Sequence, residues 1–517
     1  MTTPAAYDEL PYTGILGWDF QPSALATYAT LFGLQPPLVL KSRILDLGCG
    51  DGTNIIGIAQ AMPQAECVGL DFSPKQIEMG QAVIDGAGLT NVTLQCADIN
   101  ETDIETLGKF DYIVLHGTFS WVAPETQEKI LEICNQNLTP NGIVYVSYNV
   151  YPGWYMQRII RDLMMFHTEP LTNIREKVKD ARAVVDFVKQ HNENKEGLYG
   201  KLLDEVSALV AQQPDDHIGH EYLEEHNHPY YFHEFLAKTR QKGLEYVTDV
   251  EFRRYLPTDY ETLESYEEMF RGDIFSREQY LDFFHNRNFR SSVLCRQGVP
   301  ISRELDWELM PRFYVAAQIP ELTPDYVHEN KDFSLNTSRE VVEIDNQFVK
   351  AALITLTNTY PQAIAFEQLF NVLCSNLTPE SLAVIDLQEL KDGLAEELHY
   401  LYCAEAIELH THPVLCLAEV SAKPVAPPLA RWQAKNGKNV VNMQCKTGEL
   451  DIVAMQLLPH LDGTNTHDDL LNILLDLQKQ GIFAVEGVAD NAAIRETFSS
   501  ALNNTLQALA KNALLIG

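Results

Sequence analysis

Residues 43–52, which read RILDLGCGDG, constrain the fold of this chain more than any other stretch. The mainly apolar residues 44–47 are typical of a short, buried parallel strand. The strand ends at Gly48, Gly50 and Gly52, and the apolar spacing after them predicts a helix. A strand, a glycine turn and a helix N-terminus form a nucleotide-binding unit, because glycines admit a ligand close to the backbone and the free N–H groups carry partial positive charge.

Acidic residues close the next two strands that the sequence predicts. Asp71 ends an apolar run about 20 residues after the glycines, where a ribose-binding acid is expected. Asp98 ends the run after it. With helical stretches between them, the predicted strands after the first are residues 67–71, 92–98, 110–115 and 142–147. This alternation predicts a parallel sheet that binds its ligand at the carboxyl ends of the strands.

The DxGxGxG pattern, with acids at the ends of the second and third strands, resembles the class I S-adenosylmethionine-dependent methyltransferases. The resemblance implies that Gly48 and Gly50 border the methionine part of the cofactor S-adenosylmethionine. It also implies that Asp71 binds the ribose hydroxyls and Asp98 the adenine amino group. The full set of implied cofactor contacts is Asp46, Gly48, Cys49, Gly50, Asp51, Asp71, Phe72, Asp98, Ile99 and His116.

A dinucleotide-binding dehydrogenase would need GxGxxG, whereas the third glycine here comes one residue earlier. Two other interpretations of the glycine turn remain. The glycines can be purely structural parts of a Rossmann-like unit, or the turn can bind another nucleotide.

Longer motifs narrow the resemblance to one family. The motifs are HGTFSWV from His116, LTPNG from Leu138, SYNVYPGW from Ser147, YFHEF from Tyr231 and FRSSVLC from Phe289. They are similar to the bacterial methyltransferases that carry a methyltransferase regulatory domain, among them the rickettsial protein-lysine methyltransferases, over most of residues 7–297. That family typically has Thr-His-Pro before its first helix, where this chain has Phe20-Gln21-Pro22, so the role of that histidine is not transferred.

The resemblance implies an α/β fold: a Rossmann-like, seven-stranded methyltransferase sheet with a helical insertion, followed by a mainly α, winged-helix-like C-terminal domain. Residues 244–247 and 291–295 are the candidates for the last two strands, an antiparallel hairpin at the edge. The predicted units are an N-terminal lid and helix (1–41), the methyltransferase domain (42–297, with its insertion at about 156–242), a linker (298–339) and two winged-helix-like modules (340–422 and 429–517).

The charge of the chain bears on its partners. The net charge is −34 and the pI about 4.7, whereas nucleic acids and anionic membranes need clustered Lys and Arg. We therefore expect neither as a partner. An acidic surface favours a basic partner such as a lysine-rich protein segment, although solubility alone explains it equally well. For the C-terminal modules, protein docking or a homodimer contact is the expectation.

The spacing of cysteines and histidines predicts the cellular compartment of the protein and whether it has a metal site. The nine cysteines are scattered without a CxxC pair, and no signal peptide or apolar membrane span is visible, so a cytoplasmic protein is expected. The histidines between residues 217 and 233 lack the tight spacing of a motif such as HExxH. We therefore predict no metal site, and interpret the segment as a polar helix and turn.

Aromatic and polar residues crowd the ends of the fourth and fifth predicted strands. A lysine amine must reach a methyl donor without its proton, and an aromatic, desolvated pocket lowers the amine's pKa and stabilises the cationic product. The candidate catalytic residues are His116, Trp121, Tyr148, Asn149 and Tyr151. His116 would orient the acceptor or relay a proton, and Asn149 would accept a hydrogen bond. N-methylation of protein lysines is the first hypothesis. A small-molecule methyltransferase and a non-catalytic cofactor-binding scaffold are the alternatives.

Overall fold

The computed structural model describes residues 8–12, 14–255, 260–270, 273–329, 331–482 and 491–517. Its central element is a sheet formed by β1 (Arg43–Leu47), β2 (Glu66–Asp71), β3 (Val92–Cys96), β4 (Phe110–Leu115), β5 (Leu138–Asn149), β6 (Leu244–Asp249) and β7 (Phe289–Arg296). The strand order is β3–β2–β1–β4–β5–β7–β6, and β7 pairs antiparallel with both of its neighbours. The predicted seven-stranded, Rossmann-like sheet is confirmed, including the two strands at its far edge.

The central strands are buried on both faces, which is why they read as continuous apolar runs. Ile44, Leu45 and Leu47 of β1 have no exposed surface. The helices that precede or connect these strands are α1 (Pro22–Leu31), α2 (Thr53–Ala61), α3 (Pro74–Ala87), α4 (Ile104–Leu107) and α5 (Pro124–Asn137). Every residue of α1 is buried, so this helix is a core element beneath the lid segment that precedes it.

A helical insertion follows β5, as the sequence predicts. Its helices are α6 (Trp154–Thr168), α7 (Ile174–His191), α8 (Leu198–Gln212), α9 (Asp215–Tyr222) and α10 (Phe232–Gln241). Helices α6 to α9 share a hydrophobic core of their own, built on residues such as Ile160, Val178, Leu203 and Ile218. Between β6 and β7 lie α11 (Tyr260–Phe270) and α12 (Ile274–His285).

Residues 298–339, predicted as a linker, differ from that prediction. They contain β8 (Tyr314–Ala316), α13 (Pro324–His328) and β9 (Phe333–Asn336). The middle region continues with β10 (Val341–Ile344), α14 (Gln347–Thr359), β11 (Ile364–Ala365), α15 (Phe366–Ser375), α16 (Pro379–Leu382), α17 (Leu387–Cys403) and β12 (Glu408–His410). Strand β8 lies between β11 and β12, with Val315 and Ala316 fully buried. This strand is part of a packed unit that begins well before residue 340.

The C-terminal region has a core of its own and docks on the methyltransferase domain. Its elements are α18 (Pro428–Asn436), β13 (Asn439–Val441), β14 (Thr447–Glu449), α19 (Ile452–Leu457), α20 (His467–Lys479) and α21 (Asn491–Lys511). The Gln60 side chain of α2 joins the two units, because it donates to the carbonyl of Val441 (3.0 Å) and accepts from the N–H of Ala430 (3.2 Å). Across the described helices, none is long and apolar enough to cross a membrane.

A buried ion network holds β7 in the sheet. The Arg290 guanidinium, with no exposed surface, donates to the Asp282 carboxylate of α12 at 2.9 and 3.0 Å and to Glu278 Oε2 at 3.1 Å. On β6, Asp249 lies 3.5 Å from the same guanidinium and accepts from Arg287 at 3.0 Å. Three carboxylates therefore share two guanidinium groups in the interior, and the network connects β6, β7 and α12.

Removing Arg290 should cost far more than removing an exposed arginine. Arg290→Met leaves buried carboxylates without their cation, which costs about 3–5 kcal/mol of unfolding free energy. The control is Arg158→Met, since Arg158 forms an exposed helical pair with Asp162, worth roughly 0–1 kcal/mol. Urea unfolding followed by tryptophan fluorescence measures both. Equal, small losses in the two variants would contradict the role given to the network.

Candidate active site

A cavity of about 750 Å³ opens at the carboxyl ends of β1, β2, β4 and β5. Its floor is the carboxyl-terminal edge of the sheet, and its walls include Tyr12, Gly14 and Ile15 of the N-terminal segment together with residues of α6 and α9. This segment contacts both sides of the cavity: the carbonyl of Leu10 lies 2.7 Å from His220 Nε2 of α9, and Ser73 Oγ donates to Asp8 Oδ1 (2.8 Å). The volume is in the range of small-molecule sites.

One end of the cavity is formed by the glycine turn and the Asp71 carboxylate. The N–H of Gly50 donates to Asp71 Oδ2, and the N–H of Ser73 donates to Oδ1, both at 2.9 Å. Gly50 has a φ of +57°, a left-handed conformation that favours glycine. Burial raises the pKa of Asp71, and the two N–H donors oppose that rise. The carboxylate therefore fixes the turn of β1 against the end of β2.

A polar chain lies behind the glycine turn. Asn54 Nδ2 donates to Asp46 Oδ2 (3.0 Å), and Gln21 Nε2 donates to Asn54 Oδ1 (2.8 Å). Burial raises the pKa of Asp46 to about 7, and the neighbouring Asp71 adds to the rise. Asp46 therefore exchanges its proton near neutral pH.

The structure brings the predicted cofactor residues together, with one exception. Those that line the cavity are Asp46, Gly48, Cys49, Gly50, Asp71, Phe72, Asp98, Ile99 and His116. Asp51 is not in this lining, because its Oδ1 accepts from the N–H of Thr53 (2.9 Å) at the start of α2 and lies beside Gly14. Its role in the structure is to cap the turn, which corrects its assignment as a ligand contact.

His116 follows β4 and is held as a neutral ring. Its Nδ1 lies 2.9 Å from the hydroxyl of Tyr145, which in turn lies 2.9 Å from Ser291 Oγ. Phe20 stacks on the ring with centroids 4.1 Å apart. Burial lowers the pKa of His116 to about 4, so the imidazole is uncharged at neutral pH and is a weak proton acceptor.

The candidate catalytic residues divide into those that line the cavity and those that do not. Trp121 and Asn149 line the cavity with His116. Tyr148 does not, because neighbouring residues of a strand point to opposite faces. Its ring stacks on Phe235 (3.8 Å) on the far side of the sheet. Tyr151 also lies outside the cavity, stacked on Tyr155 (4.2 Å). The placement of Tyr148 and Tyr151 corrects their assignment to the acceptor site.

The other end of the cavity is formed by the insertion, where sequence reasoning expected only a polar helix and turn. Trp154 and Gln157 of α6 lie in its wall, as do His217, His220, Glu221, Tyr222 and His226. Burial raises the pKa of Glu221 to about 7. The density of His and Glu was the available signal, but their spacing predicted neither their face nor their neighbours. Among the described residues, no three His, Cys, Asp or Glu side chains are grouped as a metal site requires.

Comparison with known families assigns the class. Residues 40–212 match the family described as "Methyltransferase domain", and residues 214–296 match the "Predicted methyltransferase regulatory domain". Residues 422–514 match "PKMT, C-terminal winged helix domain". The chain is a class I S-adenosylmethionine-dependent methyltransferase, and the cofactor of this class is S-adenosylmethionine.

Relatives extend the similarity to the whole chain. PKMT2 from Rickettsia typhi has 31% sequence identity and a TM-score of 0.83, with 98% of this chain and all of that one covered. The same enzyme was solved in complex with AdoHcy, with a TM-score of 0.82. A Rickettsia prowazekii protein is 31% identical over 99% of this chain and 93% of its own length. The chain belongs to this family of methyltransferases with a regulatory domain and a PKMT-type winged helix domain.

The residues of the cavity fit the cofactor of the class. A Cβ atom built on Gly50 would have only Gln76 Nε2 within 4 Å, at 3.9 Å, so the backbone of the turn is open toward the cavity. Buried polar atoms of three residues in the wall have no hydrogen-bond partner among the described residues: Gln76 Oε1, Asn149 Nδ2 and Gln157 Oε1. Unpaired buried polar groups are costly, and a polar ligand would satisfy them.

Alanine substitutions of two glycines with left-handed backbone distinguish the loss of ligand contact from the effect of backbone strain. Gly50→Ala places a methyl group where the ligand meets the turn, so affinity for S-adenosylhomocysteine should fall at least about tenfold, about 1.4 kcal/mol. Gly88→Ala, at the end of α3, is the control, because Gly88 also has positive φ (+69°) and free space but lies outside the cavity lining. Each variant should lose about 1–2 kcal/mol of stability. Calorimetry measures the affinity, and equal affinities in the two variants would remove Gly50 from the site.

Proposed function

We propose that this chain transfers the methyl group of S-adenosylmethionine to the Nζ atom of lysine side chains in a protein substrate. The observation that carries the proposal is the second, aromatic end of the cavity, beyond the glycine turn. The rings of Trp121 and Trp154 meet there edge to face at 5.8 Å, and Phe289 lies in the same wall. Such a pocket suits an aliphatic chain that ends in an amine.

The residues of the glycine end would hold the donor. Gly48 and Gly50 would border its methionine part, Asp71 would accept from the ribose hydroxyls, and Asp98 would accept from the adenine amino group. An ionised carboxylate has about four acceptor positions, so the two backbone bonds that Asp71 already accepts leave room for hydroxyls. When bound, S-adenosylmethionine would supply a methyl carbon that an amine lone pair attacks in line, with the thioether of S-adenosylhomocysteine as the leaving group.

The residues of the aromatic end would prepare the acceptor. Aromatic walls would desolvate a bound lysine amine, which lowers the amine's pKa and favours its neutral form. The Trp121 and Trp154 rings would stabilise the cationic product. Asn149 lies at the end of β5 beside neutral His116, where its amide would orient the amine through a hydrogen bond.

The proposal of a protein substrate is supported by likeness and charge. The Rickettsia typhi relative bears the name PKMT2, and the motifs of residues 7–297 resemble the rickettsial protein-lysine methyltransferases. The net charge of −34 favours lysine-rich segments over polyanions. The C-terminal winged helix domain, which is separate from the cavity, would serve to dock the substrate protein or a second copy.

Lysine methylation can be detected directly. Purified protein incubated with S-adenosylmethionine and a panel of lysine-rich proteins, histones included, should add methyl mass increments to lysine residues. Tandem mass spectrometry locates them. Label from the cofactor found only in small molecules of a cell extract would favour a metabolite methyltransferase. Tight cofactor binding without any S-adenosylhomocysteine formation would leave a non-catalytic scaffold.

Trp121→Leu should slow transfer without weakening cofactor binding. Losing one aromatic face removes a cation–π contact of about 0.5–2 kcal/mol, a roughly two- to thirtyfold lower rate. Phe166→Leu is the control, because Phe166 lies on α6 with 83% of its surface exposed. The rate of methyl incorporation and the affinity for S-adenosylhomocysteine are measured for both. A Trp121→Leu enzyme as fast as the control would exclude Trp121 from the acceptor pocket.

A further inference from the structure

Glu221 of α9 differs from Asp71 and Asp46, which accept hydrogen bonds from the glycine turn and from Asn54. Glu125 also lines the cavity without a hydrogen bond or ion pair among the described residues, but it is exposed at the start of α5. The Glu221 side chain lines the cavity, yet it has no hydrogen bond or ion pair with any residue that the structure describes. A carboxylate in a cavity wall without a bound donor is positioned to receive one from a ligand.

The groups around Glu221 leave its carboxylate available. The positive charges of His220 and Arg161 lower its pKa, but burial outweighs them and raises it to about 7. Arg161 cannot pair with it closely, because its guanidinium donates to backbone carbonyls, Tyr222 O at 2.7 Å and Glu224 O. The remaining titratable groups on this side of the cavity are Tyr12, Asp216, His217, Tyr222 and His226.

We propose that Glu221 is a catalytic residue of the acceptor site, where it binds the lysine ammonium and takes up its proton. This inference rests on the proposed function and assigns the helical insertion a chemical part in it. Glu221 belongs to the part of the cavity wall that the insertion forms, together with Trp154 and Tyr222, whereas Asp71 accepts from the glycine turn. Two other groups compete for the proton: His116, whose neutral ring is bonded to Tyr145 and accepts a proton poorly, and Asp46, whose carboxylate accepts from Asn54 Nδ2 (3.0 Å) behind the glycine turn.

The proton and charge balance is simple. The R–NH₃⁺ group of lysine gives one proton to the Glu221 carboxylate, which leaves R–NH₂ and a neutral carboxylic acid. The amine lone pair forms the new N–C bond as the S–C bond breaks, and the S–C electrons stay on sulfur. The product is R–NH₂⁺–CH₃ with S-adenosylhomocysteine, and Glu221 returns its proton to solvent when the product leaves.

The test uses n-butylammonium, which has the amine and alkyl chain of lysine but no backbone. Its binding to the S-adenosylhomocysteine-saturated protein is measured by calorimetry between pH 6 and pH 8. With a pKa of about 7, the ionised fraction of Glu221 rises from about one tenth to about nine tenths over this range, so binding should tighten about tenfold. Glu221→Gln should remove this pH dependence, and Glu221→Asp, which retains a carboxylate, should keep a pH step.

Glu205→Gln is the matched control, since Glu205 is exposed on α8 and outside the cavity lining. It should keep the tenfold step, and all variants should bind S-adenosylhomocysteine as the wild type does. A step that persists in Glu221→Gln, or is missing from the wild type, overturns the inference, while methylated lysines would still support the proposed function. Weaker S-adenosylhomocysteine binding by Glu221→Gln would place Glu221 at the donor end and overturn it too. If no lysine is methylated, the proposed function fails, and a preserved step would then report only a cation site.

Discussion

The hydrogen bond from Gly50 N–H to the Asp71 carboxylate is the constraint on which the glycine-turn end of the cavity depends. It joins the turn after β1 to the last residue of β2, so the geometry of the two strand ends is set by one carboxylate. Helix α3 can close on the same turn because Gly80 has no side chain, and a Cβ there would lie 2.3 Å from the carbonyl of Asp51. An acid at the end of β2 therefore shapes the site before any ligand arrives.

Two parts of the chain, the sheet and the helical insertion, form the two ends of the cavity. The glycine-turn end lies on the sheet, where parallel strands fix the positions of their own carboxyl ends. The opposite end is formed by the insertion, which has a hydrophobic core of its own. Within it, Arg161 of α6 holds the end of α9, because its guanidinium donates to the carbonyls of Tyr222 and Glu224. The two ends of the cavity are therefore supported by separate cores, one in the sheet and one in the insertion.

The sequence predicted the sheet well because its signals are local. Apolar runs, glycine turns and acids at strand ends are each confined to a few residues. The motif around Gly48 also predicted most of the residues that line the glycine-turn end of the cavity. The prediction was weaker where the answer depends on tertiary packing. Tyr148 and Asn149 are adjacent in sequence, and only the pairing of β5 decides which of them faces the cavity. The strand β8 has only three residues, which are too few to show an alternation of apolar and polar side chains. The sequence therefore predicts a linker there.

Phe20-Gln21-Pro22, where the family typically has Thr-His-Pro, places an uncharged amide at the position of a titratable histidine. Gln21 Nε2 donates to Gly17 O (3.1 Å) as well as to Asn54, and an amide does not titrate. Asp46 is therefore the one titratable group of the chain Gln21–Asn54–Asp46, whereas a histidine at position 21 would add a second group that can carry positive charge. Phe20 meanwhile covers His116 with an apolar ring and keeps it neutral. Position 21 and His116 therefore supply no strong base, which leaves two carboxylates of the cavity with a pKa near neutrality, Asp46 behind the glycine turn and Glu221 in the insertion.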